Sequence, residues 1–192
     1  MGAKTDSSFA NMVLTLLVVT AVAALALGGV YQLTKEPIAL AKKKKQEKAI
    51  KMVLPAFDSL HVKKVPAYDG SDSLLFTFAS KEDKPIGVAV NTYSDKGFSG
   101  HIEIMVGFLP DGTIYNTAVM AHKETPGLGT KMADPSFKDQ FKGKNPASFV
   151  LKVKKDGGDV DAITAATISS RAFSDAVDRA YKTFLQVNKA LN

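Results

Sequence analysis

The chain has 192 residues, 45% of them apolar and 23% charged, enough for one folded domain with some extra length. It has no Cys, which excludes disulfides, thiolate zinc sites, Cys-ligated iron–sulfur clusters and a Cys nucleophile. The formal charge of +6 is concentrated in residues 35–51, with seven Lys and two Glu, so the rest lacks the spread basic footprint of a nucleic-acid binder.

Residues 1–8 read as a short N-terminal tail. Residues 9–31 are 23 consecutive uncharged, mostly apolar positions, against the roughly 20 that cross a bilayer core as a helix. Tyr31 and Lys35 suit the far interface. Ala24-Leu25-Ala26 resembles a signal-peptide cleavage site, but only one Lys precedes the apolar run, and the run outlasts the ~7–15 residues of a signal core. The expectation is an uncleaved single-pass anchor. Residues 32–54 read as a basic juxtamembrane helix starting near Pro37, with its lysines facing water or lipid headgroups. Lys42, Lys43, Lys44 and Lys45 follow the span directly, and the positive-inside rule puts such lysines in the cytoplasm.

Residues 55–192 form the soluble part. Runs rich in Val, Ile, Phe and Thr at 74–79, 86–92, 101–108, 113–120 and 149–153 predict strands, with Pro110-Asp111-Gly112 as a hairpin turn. Phe173, Ala176, Val177, Ala180, Tyr181, Phe184 and Leu185 recur at helical spacing and predict a C-terminal amphipathic helix. The class is α+β behind a single N-terminal transmembrane helix and a juxtamembrane helix.

Two segments carry chemistry. His122-Lys123-Glu124-Thr125-Pro126-Gly127-Leu128-Gly129 follows a predicted strand; its glycines let backbone approach a ligand, although an ordinary Pro-Gly turn has the same composition. Thr164-Ala165-Ala166-Thr167-Ile168-Ser169-Ser170 runs into the C-terminal helix. Its hydroxyls stand where a helix start either binds phosphate or is merely capped. No catalytic group or metal-ligand cluster emerges.

Together these strings resemble the covalent FMN-binding domain family, which includes the G component of the Rnf complex and the C component of the Na⁺-translocating NADH:quinone oxidoreductase. The layout and the modest length favour the Rnf-type protein. In that family FMN is esterified through its phosphate to the Thr after the small pair, which here is Thr167. The family's first small residue is commonly Gly and is Ala165 here. The resemblance further implies that Glu124, Thr125, Gly127, Leu128 and Gly129 contact the flavin, and that Thr164, Ala166 and Ser169 complete the attachment motif. It implies one covalent FMN, and electron relay within an Na⁺- or H⁺-translocating ferredoxin:NAD oxidoreductase. It also implies other membrane and peripheral subunits and a flavin transferase as partners. The location implied is a bacterial inner membrane, with the flavin domain on the outer, periplasmic face, against the charge rule. A non-redox anchored binding module explains the anchor and domain but not both motifs together.

Overall fold

The computed structural model describes residues 8–191; most of the expected N-terminal tail, residues 1–7, lies outside them. The chain divides into two compact units, the first ending at Lys44 and the second beginning at Lys45.

The first unit is most of helix α1, Phe9–Val53. Its apolar side chains, from Phe9 through Val30 to Leu40, are exposed within the unit. By length and composition this helix can cross a membrane. Pro37 does not start a second helix; it lies inside α1. Proline disfavours a helix interior by about 3 kcal/mol, but good helix formers on both sides (Gln32, Leu33, Lys35; Ala39, Leu40, Ala41) propagate the coil through it.

The second unit is an antiparallel meander of five strands in sequence order. These are β1 (Ser59–Pro66), β2 (Ser73–Lys81), β3 (Lys84–Gly97), β4 (Gly100–Phe108) and β5 (Ile114–His122). Alternation decides the faces. Val88 and Val90 of β3, and Ile102, Ile104, Val106 and Phe108 of β4, join the larger core. Ala89 and Met105, one register step away, join Ala49, Ile50, Val53 and Leu54 around the end of α1 in a smaller one.

The larger core is closed by helix α3, Thr167–Leu191, whose Phe173, Ala176, Val177 and Ala180 are fully buried. The Thr92 hydroxyl donates to the Ala176 carbonyl at 3.1 Å, and Ser94 donates to Asp175 at 2.7 Å, fixing α3 along β3. Between β5 and α3 the chain is mostly irregular. It is pinned by Met132 from a 3-10 turn (Gly129–Ala133) and by Phe137 from the short helix α2 (Pro135–Lys138). Phe141 follows, and both phenylalanine rings pack against Phe173, at 5.3 and 5.0 Å between centroids.

Two strand assignments differ from the sequence reading. Residues 149–153 are not a strand; only Val153 forms a bridge, to Val160, and Gly157 turns the chain at positive φ before a ladder can grow. β1 gives little pattern in sequence because it is an exposed edge strand carrying His61, Lys63 and Lys64.

Candidate functional site

The two motif segments, 122–129 and 164–170, line one cleft of about 320 Å³ with the tip of the β3–β4 hairpin. The hairpin contributes Phe98, the loop after β5 contributes Glu124, Thr125, Leu128 and Gly129, and the turn before α3 with its first three residues contributes residues 165–169.

The α3 end is built by a turn. The Ala166 N–H donates to the Ile163 carbonyl at 3.0 Å, and Ala165 sits at φ +62°. That left-handed conformation is one a Cβ disfavours by roughly 1–2 kcal/mol. It explains physically why Gly suits this position. Ser170 locks the turn, accepting the Ile163 N–H at 2.9 Å and donating to the Ala166 carbonyl at 3.0 Å. Thr167 is therefore the first residue of α3. The Ser170 N–H donates to the Ala166 carbonyl, so the N–H groups of Thr167, Ile168 and Ser169 precede the helical ladder. They and the helix dipole favour an anion beside the Thr167 side chain.

Glu124 joins the three segments. It is 4% exposed; its Oε1 accepts the Ser99 N–H at 3.0 Å, and its Oε2 accepts the Ser169 hydroxyl at 2.6 Å. The packing admits no extra atom. A Cβ on Gly129 would lie 2.5 Å from Glu124 Oε2 and 2.6 Å from Ser169 Oγ, and one on Gly97 would lie 2.6 Å from Glu124 Oε1. The walls nearer solvent are apolar: Phe98, Leu128 and Ile168 are all exposed.

Of the expected site residues, Glu124, Thr125, Leu128, Gly129, Ala166, Thr167 and Ser169 line this cleft. Gly127 lies outside the lining, and its N–H is given to Thr130 Oγ1 at 3.0 Å. Thr164 lies in a separate cleft with Lys131, Gln140 and Asp161. Phe98 and Ile168 are further lining residues that the sequence reading does not propose as contacts, and Ala165, noted there only as a departure from the family's Gly, lines the cleft as well. The signal for Phe98 was a lone aromatic at a Gly-Phe-Ser-Gly hairpin tip, flanked by the paired Gly97 and Gly100.

A ligand with an anionic end and an apolar body suits such a cleft. The unpaired N–H groups take the anionic end, and the exposed apolar side chains take the body.

Residues 97–182 match the FMN-binding domain family. The chain is 42% identical over 119 residues to the G component of the ion-translocating oxidoreductase complex of Erwinia tasmaniensis, covering 59% of this chain and 57%, a little over half, of that protein. It is 33% identical over 189 residues to the corresponding G component of Aliivibrio fischeri, covering 90% of this chain and 89% of that one. The fold is similar to that of the C component of the Na⁺-translocating NADH-quinone reductase from Parabacteroides distasonis, with a TM-score of 0.57 and 18% identity over 78% of this chain and 85% of that one.

Proposed function

The chain belongs to the family of G components of ion-translocating oxidoreductase complexes, and from that premise we propose that it is a membrane-anchored flavoprotein with FMN held covalently on Thr167. It relays electrons inside an Rnf-type complex that links ferredoxin and NAD to Na⁺ or H⁺ transport. The observation that carries this reading is Thr167 itself: a hydroxyl at the first residue of α3, lining a cleft whose other wall is the loop after β5.

FMN, when bound, supplies reversible transfer of one or two electrons. The protein's part is to hold and shield it. The first-turn N–H groups of α3 and its dipole neutralise the phosphoester. Phe98, Leu128 and Ile168 cover the ring against water, and Thr125 and Gly129 offer polar backbone at the cleft wall.

A Thr hydroxyl is a weak nucleophile without a base. Glu124, the carboxylate in the cleft, is already bonded to Ser99 and Ser169, so attachment requires a separate flavin transferase. Residues 9–31 contain no charged side chain, so the ion path belongs to partner proteins of the complex. The chain is a single-pass protein of a bacterial inner membrane, with the flavin domain on the outer face. Assembly with multi-span partners overrides the local charge bias of Lys42, Lys43, Lys44 and Lys45. Protection of the domain from external protease in right-side-out vesicles would reverse that orientation.

The test is flavin fluorescence of the denatured protein in a gel, with the transferase present. Wild type fluoresces and Thr167→Ala does not. A dark wild-type band sinks the reading.

A further inference from the structure

Glu124 is a buried carboxylate in the wall of a ligand cleft, and each of its oxygens already accepts a hydrogen bond from the protein. Its two partners are the Ser99 N–H and the Ser169 hydroxyl, and each oxygen accepts one of them. Each tie lands next to a residue that faces the cleft. Ser99 follows Phe98 at the hairpin tip, and Ser169 shares the first turn of α3 with Thr167. Gly97 and Gly129 leave the room that the carboxylate needs, since a Cβ on either would lie within 2.6 Å of one of its oxygens. At Gly97 the Gly100 carbonyl, 2.3 Å from such a Cβ, already excludes a side chain, whereas at Gly129 the carboxylate is the nearest atom, so Glu124 is held as a clamp rather than left as a free contact for a ligand.

We propose that Glu124 is the positioning residue of this cleft, tying the hairpin tip to the first turn of α3, and that its fixed negative charge holds down the midpoint potential of a flavin bound there. The inference rests on the reading that FMN occupies the cleft. Holding Ser169 Oγ fixes the rotational phase of the first helical turn, and with it the direction of the Thr167 hydroxyl. Holding the Ser99 N–H keeps the Phe98 ring at the mouth. The charge acts separately from the geometry. Electron addition makes the ring more negative, and a buried carboxylate in the same wall opposes this through a poorly screening medium.

Two variants separate the two roles in the full-chain protein. Glu124→Gln keeps the shape and an acceptor for Ser99 N–H but removes the charge. Its flavin has a more positive midpoint potential, seen as a roughly tenfold higher reduced-to-oxidised ratio at a fixed applied potential. Glu124→Ala breaks both ties. Amide exchange at Ser99, bonded to Glu124, and at Ser170, the first ladder bond of α3, then accelerates at least about tenfold in protein made without the transferase, and covalent flavin yield falls, with Gln restoring part of it. An unchanged potential in Glu124→Gln overturns the charge role, and unchanged exchange and yield in Glu124→Ala overturn the clamp. Should Glu124→Ala fail to fold, Ser169→Ala removes one tie and is read by the same exchange measurement. A wild-type protein without covalent flavin sinks the FMN reading instead, while the exchange experiment still decides the clamp.

Discussion

Two clefts meet at Ile168, and the smaller one is the candidate site. The larger, about 620 Å³, runs along α3 and is lined by Lys96, Lys152, Arg171 and Lys182 with Asp156, Asp175 and Asp178. Its charges are largely cancelled by one another. Lys96 pairs with Asp175 at 2.6 Å, Arg171 with Asp156 at 2.7 Å, and Lys182 with Asp178 at 2.6 Å. These pairs raise the pKa values of Lys96, Arg171 and Lys182, chiefly through the carboxylate hydrogen bonds. The buried Ser174 hydroxyl also has no hydrogen-bond partner. The smaller cleft instead gathers a row of N–H groups at a helix start, a hydroxyl beside them and three apolar walls. What distinguishes a site from a groove here is unspent hydrogen-bonding capacity aimed at one place, and size is a poor guide to it.

That contrast can be broken. Gly129→Ala drives a methyl into the contact between Glu124 and Ser169, and it destabilises the domain by about 1–3 kcal/mol while lowering covalent flavin yield. Equilibrium denaturation and in-gel fluorescence read the two effects. A neutral Gly129→Ala would mean that the smaller cleft is not tightly built. Ala165→Gly sharpens the comparison from the other side. It relieves the left-handed strain at the turn before Thr167 and stabilises the domain by about 0.5–1 kcal/mol, with flavin retained, read by the same denaturation curve. In the larger cleft, Lys96→Ala removes an exposed ion pair and changes stability by less than about 1 kcal/mol, with flavin yield unaltered. A large flavin loss in Lys96→Ala would move the functional centre toward the larger cleft.

The smallest effect lies away from both clefts. The Thr113 N–H and hydroxyl donate to the Asp111 carboxylate at 2.9 Å and hold its pKa below the ordinary 3.8. A lowered folded value means that the stabilisation is present above the unfolded pKa and is lost as pH falls through the folded one. Acid unfolding of wild type below pH 3.8 is therefore steeper than that of Asp111→Asn. The difference is small because Asp111 is exposed.

Much of the architecture was legible in the sequence because its signals are local. The apolar run of α1 is continuous, the strand runs become β2 to β5, though β3 reaches five residues beyond its run to Gly97, and the spacing of Phe173, Ala176, Val177 and Ala180 fixes the buried face of α3. The local pattern placed a group of hydroxyls, Thr167, Ser169 and Ser170, at the start of that helix, and only the family resemblance picked Thr167 from among them. The run at 149–153 misled because β-like composition cannot supply a neighbouring strand. β1 was missed because an exposed edge strand needs no apolar alternation.

By itself, then, the sequence determined a long apolar run, a hydroxyl-rich segment leading into an amphipathic helix, and a Pro-Gly loop able to approach a ligand. Only the tertiary structure decided that the loop and the helix start share one cleft, that Phe98 stands at its mouth, and that Thr164 and Gly127 lie outside its lining. It also decided that Glu124 turns inward to Ser169, 45 residues away. The physical reason is range: helix starts and turns are set by neighbours in the chain, whereas a buried carboxylate finds its donors only once the sheet and α3 have closed the core around it.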